Sequence, residues 1–163
     1  MANDFFLGLA QGLDPRNIFG ISYELKELST YIVGGEAAFY TKVFDFNGLM
    51  KIADFISGNE MPILIVGNGS NLLIADSGFN GLVIQLGETF AQIEIEGEQV
   101  IAGGSTSLPV LARRTVQAGL SGFEWAVGVP GSVGGAVRMN CLLYTSDAAD
   151  EGLGVDLGGR RII

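Results

Sequence analysis

Residues 62–78 read PILIVGNGSNLLIADSG, and the fold turns on them. Pro62 and Gly67 bracket a continuous apolar run, which predicts a strand buried on both faces of a sheet. The chain then enters a loop where Gly67 and Gly69 open backbone conformations closed to other residues and permit close approach of a ligand. Ser70 and Asn71 add short polar side chains. Successive main-chain N–H groups in such a turn form a nest for an anion.

Upstream, NGLMKIADFISGN (47–59) carries Leu49, Ile52, Ala53 and Ile56 at helical spacing, with Asn47 placed to cap its start and Gly58 its end. AFYTKVF (38–44) predicts a strand, so 38–86 read strand, helix, strand, loop, strand. The helix is then a crossover between neighbouring strands. STYIVGG (29–35) predicts a short strand closed by a glycine turn, and residues 1–22 are weakly patterned and predict a loose lead-in. Downstream, a second lobe starts near Phe90. AQIEIEGEQVIAGG (91–104) alternates on both sides of EGEQ, a hairpin signal. SLPVLARRTVQAG (107–119) predicts a helix with Ser107 at the N-cap, Pro109 in the first turn, Gly119 at the end and Leu111, Ala112, Thr115 and Val116 buried. GVPGSVGGAV (128–137) then repeats the glycine chemistry: Pro130 stiffens the turn, Gly131, Gly134 and Gly135 permit close approach, and Ser132 supplies a hydroxyl.

Composition narrows the chemistry. The 163 residues are 48% hydrophobic and suit one domain or two small lobes with an affordable core. Mean hydropathy is +0.39, yet no charge-free run reaches the roughly 18 apolar residues of a membrane span. The start, MANDFFLGLA, has no basic lead, which argues against a secretory signal. A formal charge of −9 without a Lys/Arg cluster argues against nucleic acid. With no His and one Cys, the usual zinc ligand sets, an intrachain disulfide and a histidine base are excluded, so a cofactor is expected to carry any hard chemistry and no metal is expected. Neither glycine loop is a common phosphate motif. No G-x-x-x-x-G-K-[ST] occurs, and GNGSNL has Leu72 where a third glycine would complete G-x-G-x-x-G. One such loop alone reads first as a tight turn, since glycine turns are common; two, one per lobe, favour a diphosphate clamped between lobes and carried by a large cofactor.

LSTYIVGG, GNGSNLLIADSGFNGLVI and GLSGFEWAVGVPGSVGGAVRMN together resemble the FAD-binding half of the UDP-N-acetylenolpyruvoylglucosamine reductase (UDP-N-acetylmuramate dehydrogenase) family, in the family's order over roughly residues 20–140. The resemblance implies an α+β, two-lobed FAD-binding domain of the PCMH/vanillyl-alcohol-oxidase type, with lobe 1 at 20–89 and a truncated lobe 2 at 90–140. It implies a bacterial cytoplasmic enzyme of peptidoglycan precursor synthesis, with FAD as cofactor, NADPH as reductant and a UDP-sugar as substrate. By position, Gly67, Asn68, Gly69, Ser70, Asn71, Leu72 and Leu73 would hold the FAD diphosphate and nearby groups. So would Val129, Pro130, Gly131, Ser132, Gly134, Gly135, Ala136 and Val137, with Gly103 and Gly104 also lining the cofactor. Ile32 stands where the family usually has Arg. Two alternatives remain open: the FAD-binding module of another oxidoreductase of the same fold, and a non-catalytic nucleotide-binding module.

Other residues have plainer readings. Arg138 reads as a solvated cation or a phosphate contact, Glu124 as an anchor for loop backbone, Trp125 as packing and Asp76 as a turn-former. Arg113 and Arg114 read as a solvated helix face. After Asn140 the sequence changes character: CLLYTSDAADEGLGVDLGGRRII has no clear period, whereas the family continues with small residues and glycine. Back-translated, Cys141 to the start of Glu151 resembles a sequencing-library transposon adapter, and VDLGGRRII resembles the flow-cell end of one. The expectation is that 141–163 are adapter read-through and non-native. The family's catalytic groups, a serine with supporting arginine and glutamate, fall downstream of Asn140, so no catalytic residue is expected in this chain.

Overall fold

The computed structural model describes residues 15–58 and 60–141. Most of the expected lead-in and residues 142–163 lie outside the described residues. Six strands are described: β1 (Ile18–Glu24), β2 (Glu36–Val43), β3 (Ile63–Val66), β4 (Phe79–Leu86), β5 (Ile93–Glu96) and β6 (Gln99–Ala102). Three α-helices accompany them: α1 (Phe46–Ser57), α2 (Leu108–Gln117) and α3 (Val133–Arg138). The first four strands form one sheet in the order β1-β2-β4-β3; β5 and β6 pair as an antiparallel hairpin. β1 runs antiparallel to β2, while β2, β4 and β3 are mutually parallel.

That order corrects the sequence reading of 62–66. The crossover through α1 does not join neighbours: β4 returns and inserts between β2 and β3. β3 is therefore an edge strand, with Ile63 46% and Ile65 68% exposed, while Leu64 and Val66 face the core. The doubly buried strand is β4, whose Leu82, Val83 and Ile84 are all buried. Continuous apolarity is shared by both segments, and only strand order decides which one is central.

One face of the sheet packs against α1 through Phe39, Val43, Ile52, Leu82 and Ile84. The other gathers Leu25, Ala37, Tyr40, Val66, Ile74 and Val83. The phase of α1 also departs from expectation. Ile52 and Phe55 are buried, Leu49 and Ile56 half-buried, and Ala53 is exposed. The helix starts before Asn47, and the cap is Asp45, whose Oδ1 accepts from the Gly48 amide at 2.7 Å. Its Oδ2 accepts from Asn17 Nδ2 at 3.0 Å, and Asn17 Oδ1 takes the Phe44 amide at 2.7 Å. One carboxylate thus ties the start of α1 to the residue preceding β1. Asp45→Ala removes the cap and leaves buried Asn17 short of a partner, so unfolding free energy is expected to fall by about 1–2 kcal/mol in a denaturant titration.

Two further expectations are corrected. Residues 18–22, the end of the expected loose lead-in, belong to β1, because Ile18 to Glu24 register against Lys42 to Glu36. Residues 29–35 form no strand: the backbone turns, with positive φ at Ile32 (54°) and Gly34 (125°). The hairpin and the second helix fall where the pattern places them. Leu108, Leu111, Ala112 and Thr115 are buried, but Val116 is 52% exposed because α2 covers only a short 3-10 segment, Glu124–Gly128.

Candidate functional site

The loop of residues 67–78 leaves the C-terminal end of β3, the side of a parallel sheet where ligands bind. Its conformation is tied down from outside. Gly69 has φ +65°, and a Cβ there would run into the carbonyl oxygen of Leu28. The Thr30 amide donates to Gly69 O at 3.2 Å, and Ser29 Oγ donates to Leu72 O at 2.9 Å. Gln85 Nε2 donates to Gly67 O at 3.2 Å, and Tyr40 donates its hydroxyl to Gln85 Oε1 at 2.9 Å. The Tyr40 ring stacks on Tyr23, centroids 3.9 Å apart.

The second loop folds against the first. Ser70 Oγ donates to Pro130 O at 2.9 Å, and a Cβ on Gly67 would collide with Ser132 Oγ. Leu108 N donates to Gly131 O at 3.0 Å and Val133 N to Thr106 O at 2.8 Å, which clamps the loop beside the start of α2. Gly134 N donates to Gly104 O at 2.9 Å. Ser132 is the N-cap of α3, accepting from Gly135 N at 3.2 Å, so residues 133–137 of the expected loop are the body of a short helix. Gly103 borders an open hollow of about 200 Å³ lined also by Phe90, Gln92 and Glu94.

The three segments singled out in the sequence therefore converge: Gly67 and Ser70 meet Ser132 and Pro130, and Gly104 meets Gly134. Leu73 is 75% exposed and Val137 45%, both at the margins. Among the described residues, no protein acceptor takes the amide N–H of Asn68, Gly69, Ser70, Asn71, Gly131 or Ser132. Among the described residues there is also no cluster of His, Cys, Asp or Glu able to hold a metal. The surrounding residues take simple roles. Glu124 Oε2 accepts from Gly122 N at 2.7 Å, Trp125 packs edge-on to Phe123 at 5.3 Å, and Asp76 sits in the turn closed by Gly78 N to Ala75 O. Arg113, Arg114 and Arg138 are exposed.

Sequence reasoning missed Ser29, Thr30, Tyr40 and Gln85, which brace the first loop from elsewhere in the chain. Gln85 alone left a trace, as the polar residue interrupting GLVIQL. Burial, then the neighbouring Tyr23, pushes the Tyr40 hydroxyl well above the ordinary tyrosine range. The folded state keeps this proton where the unfolded chain loses it, at about pH 10. The contribution to stability is full below that pH and drains away as pH rises toward the folded value. Tyr40→Phe is expected to flatten this alkaline decline when apparent stability is followed from about pH 9 upward.

Residues 45–157 match the family model described as FAD binding domain, more than half of the chain. The chain belongs to the FAD binding domain family. FAD is its cofactor, and main-chain amides with no protein acceptor among the described residues, set beside small residues, suit the diphosphate of that molecule. The matched span continues past Asn140 into the stretch read as adapter-derived. Among curated proteins, the chain is 39% identical over 122 residues to UDP-N-acetylenolpyruvoylglucosamine reductase 1 of Corynebacterium glutamicum, covering 75% of this chain and 36% of that protein. It is 42% identical over 130 residues to the reductase of Rickettsia prowazekii, covering 78% and 43%. Among solved structures it is similar to the UDP-N-acetylenolpyruvylglucosamine reductase (MurB) of Thermus caldophilus, with TM-score 0.60 and 37% identity over 77% of this chain and 42% of that one. The chain thus spans about two fifths of the length of the relatives it matches.

Proposed function

We propose that this chain is the cofactor-seating half of a UDP-N-acetylenolpyruvoylglucosamine reductase and that residues 67–73 and 128–137 clasp the FAD diphosphate between two lobes meeting near residue 90. The observation that carries the reading is the convergence of both glycine loops, with six amides that have no protein acceptor among the described residues, in a chain of the FAD binding domain family. An anion there gains several charge-assisted hydrogen bonds, each contributing roughly 1.5–3 kcal/mol. Gly67, Gly69 and Gly131 let the main chain close on it, and Ser70 latches one loop to the other. Gly103 and Gly104 extend the wall from the hairpin.

Bound FAD would supply a hydride relay from NADPH to the enolpyruvyl double bond of the UDP-sugar. This chain's residues bind and orient the cofactor; the serine that protonates the substrate carbon, with its supporting arginine and glutamate, belongs to sequence downstream of Asn140. The reaction fits the bacterial cytoplasm, and no described helix is long and apolar enough to cross a membrane. The test is a protein carrying this chain together with the gene sequence that continues it, loaded with FAD. NADPH consumption should depend on the UDP-N-acetylglucosamine enolpyruvate and yield UDP-N-acetylmuramate. FAD-loaded protein that oxidises NADPH only without regard to that substrate would assign the chain to another flavin oxidoreductase.

A further inference from the structure

We infer that Gln85, held by Tyr40, is a positioning residue of the diphosphate seat, because it decides which way the peptide between Gly67 and Asn68 faces; this rests on the FAD reading above. A main-chain carbonyl accepts and never donates, so the nitrogen end of the Gln85 amide must be the one facing Gly67 O, 3.2 Å away. Tyr40 enforces that orientation by donating to the oxygen end at 2.9 Å. All described peptide bonds are trans, so within each one C=O and N–H point in opposite directions. Drawing Gly67 O onto Gln85 therefore turns the Asn68 N–H to the far side, where no protein acceptor takes it.

The same device recurs three times. The Thr30 amide holds Gly69 O and frees the Ser70 N–H. Ser70 Oγ holds Pro130 O and frees the Gly131 N–H. The Leu108 amide holds Gly131 O and frees the Ser132 N–H. Four carbonyls are held back and four amides left over, in both loops. For an anion seat the restraint matters as much as the donors, since a carbonyl turned inward would repel the phosphate. Three of these holders are main-chain amides or belong to the loops. Gln85 is the side chain that reaches in from the sheet: it is half-buried on β4, and its partner Tyr40 is 3% exposed and stacked on Tyr23.

Gln85→Glu tests this with nearly unchanged shape. The carboxylate still accepts from Tyr40 but has no proton for Gly67 O, so the peptide loses its restraint. In calorimetric titration at about pH 8, affinity for FAD is expected to fall by about tenfold or more. As pH falls toward about 4.3, the ordinary glutamate value, the carboxyl regains a proton to donate, and affinity is expected to recover progressively toward that of the unaltered chain, which should change little over the same range. Asp45→Ala, which weakens the fold away from the loops, controls for stability and should leave FAD affinity within about twofold. Unchanged affinity of Gln85→Glu at about pH 8, a loss that does not shrink as pH falls from there toward about 4.3, or an equal loss in Asp45→Ala overturns the inference. Failure of the unaltered chain to bind FAD overturns instead the reading on which it rests.

Discussion

Gly69→Ala is expected to lower unfolding free energy by roughly 2–5 kcal/mol, a large part of what a domain this size has to spare. Two effects combine. Gly69 sits at φ +65°, where a side chain costs about 1–2 kcal/mol. Its Cβ would also collide with the Leu28 carbonyl, a main-chain atom that cannot swing aside as a side chain would. Forcing such a contact costs typically another 1–3 kcal/mol. Gly97→Ala separates the two effects: its φ is +59°, but nothing lies within 4 Å of the added methyl. Denaturant titration should find Gly97→Ala losing only about 1 kcal/mol and Gly69→Ala at least twice that. Equal losses would mean that the approach of residues 28–30 to the loop is not the constraint described.

Gly67→Ala acts on the ligand more than on the fold. The residue has no positive φ, so an alanine there bears no backbone strain. Its methyl, however, would occupy the place of Ser132 Oγ, which caps α3 through Gly135 N. The two loops must then separate, or the cap must break at a cost of about 1 kcal/mol. Since both loops are to grip one diphosphate, FAD affinity is expected to fall roughly tenfold to a hundredfold, the loss of one or two charge-assisted hydrogen bonds. Gly67→Ala combined with Ser132→Ala removes the colliding oxygen and should recover part of the affinity, a coupling visible in a double-mutant cycle. Strictly additive losses would show that the two residues do not meet.

Much of this arrangement was legible because it is local. The α1 region, the hairpin and α2 follow from apolar spacing and from glycines at their ends, and the loops announce themselves by composition. What was not legible depends on partners distant in sequence. Nothing in PILIV distinguishes an edge strand from a central one; that follows from β4 inserting beside β2. Asn47 looks as good a cap as Asp45 until Asn17 is seen bonding to the carboxylate. Residues 29–35 have the β-branched content of a strand, yet Ser29 and Thr30 spend their donors on the glycine loop and the backbone turns. The seat itself shows the same division. The glycines that line it are visible, while Gln85 and Tyr40, which aim its first peptide, are legible only once β2 and β4 lie side by side.

The central claim, that two loops seat a diphosphate-bearing flavin, is tested most directly by calorimetric titration of the chain with FAD in competition with ADP and with riboflavin. The account predicts saturable one-to-one FAD binding that ADP weakens, because it shares the diphosphate, and that riboflavin at equal concentration leaves nearly unchanged. Binding displaced by riboflavin but indifferent to ADP would place the grip on the ring rather than on the phosphates and contradict the account.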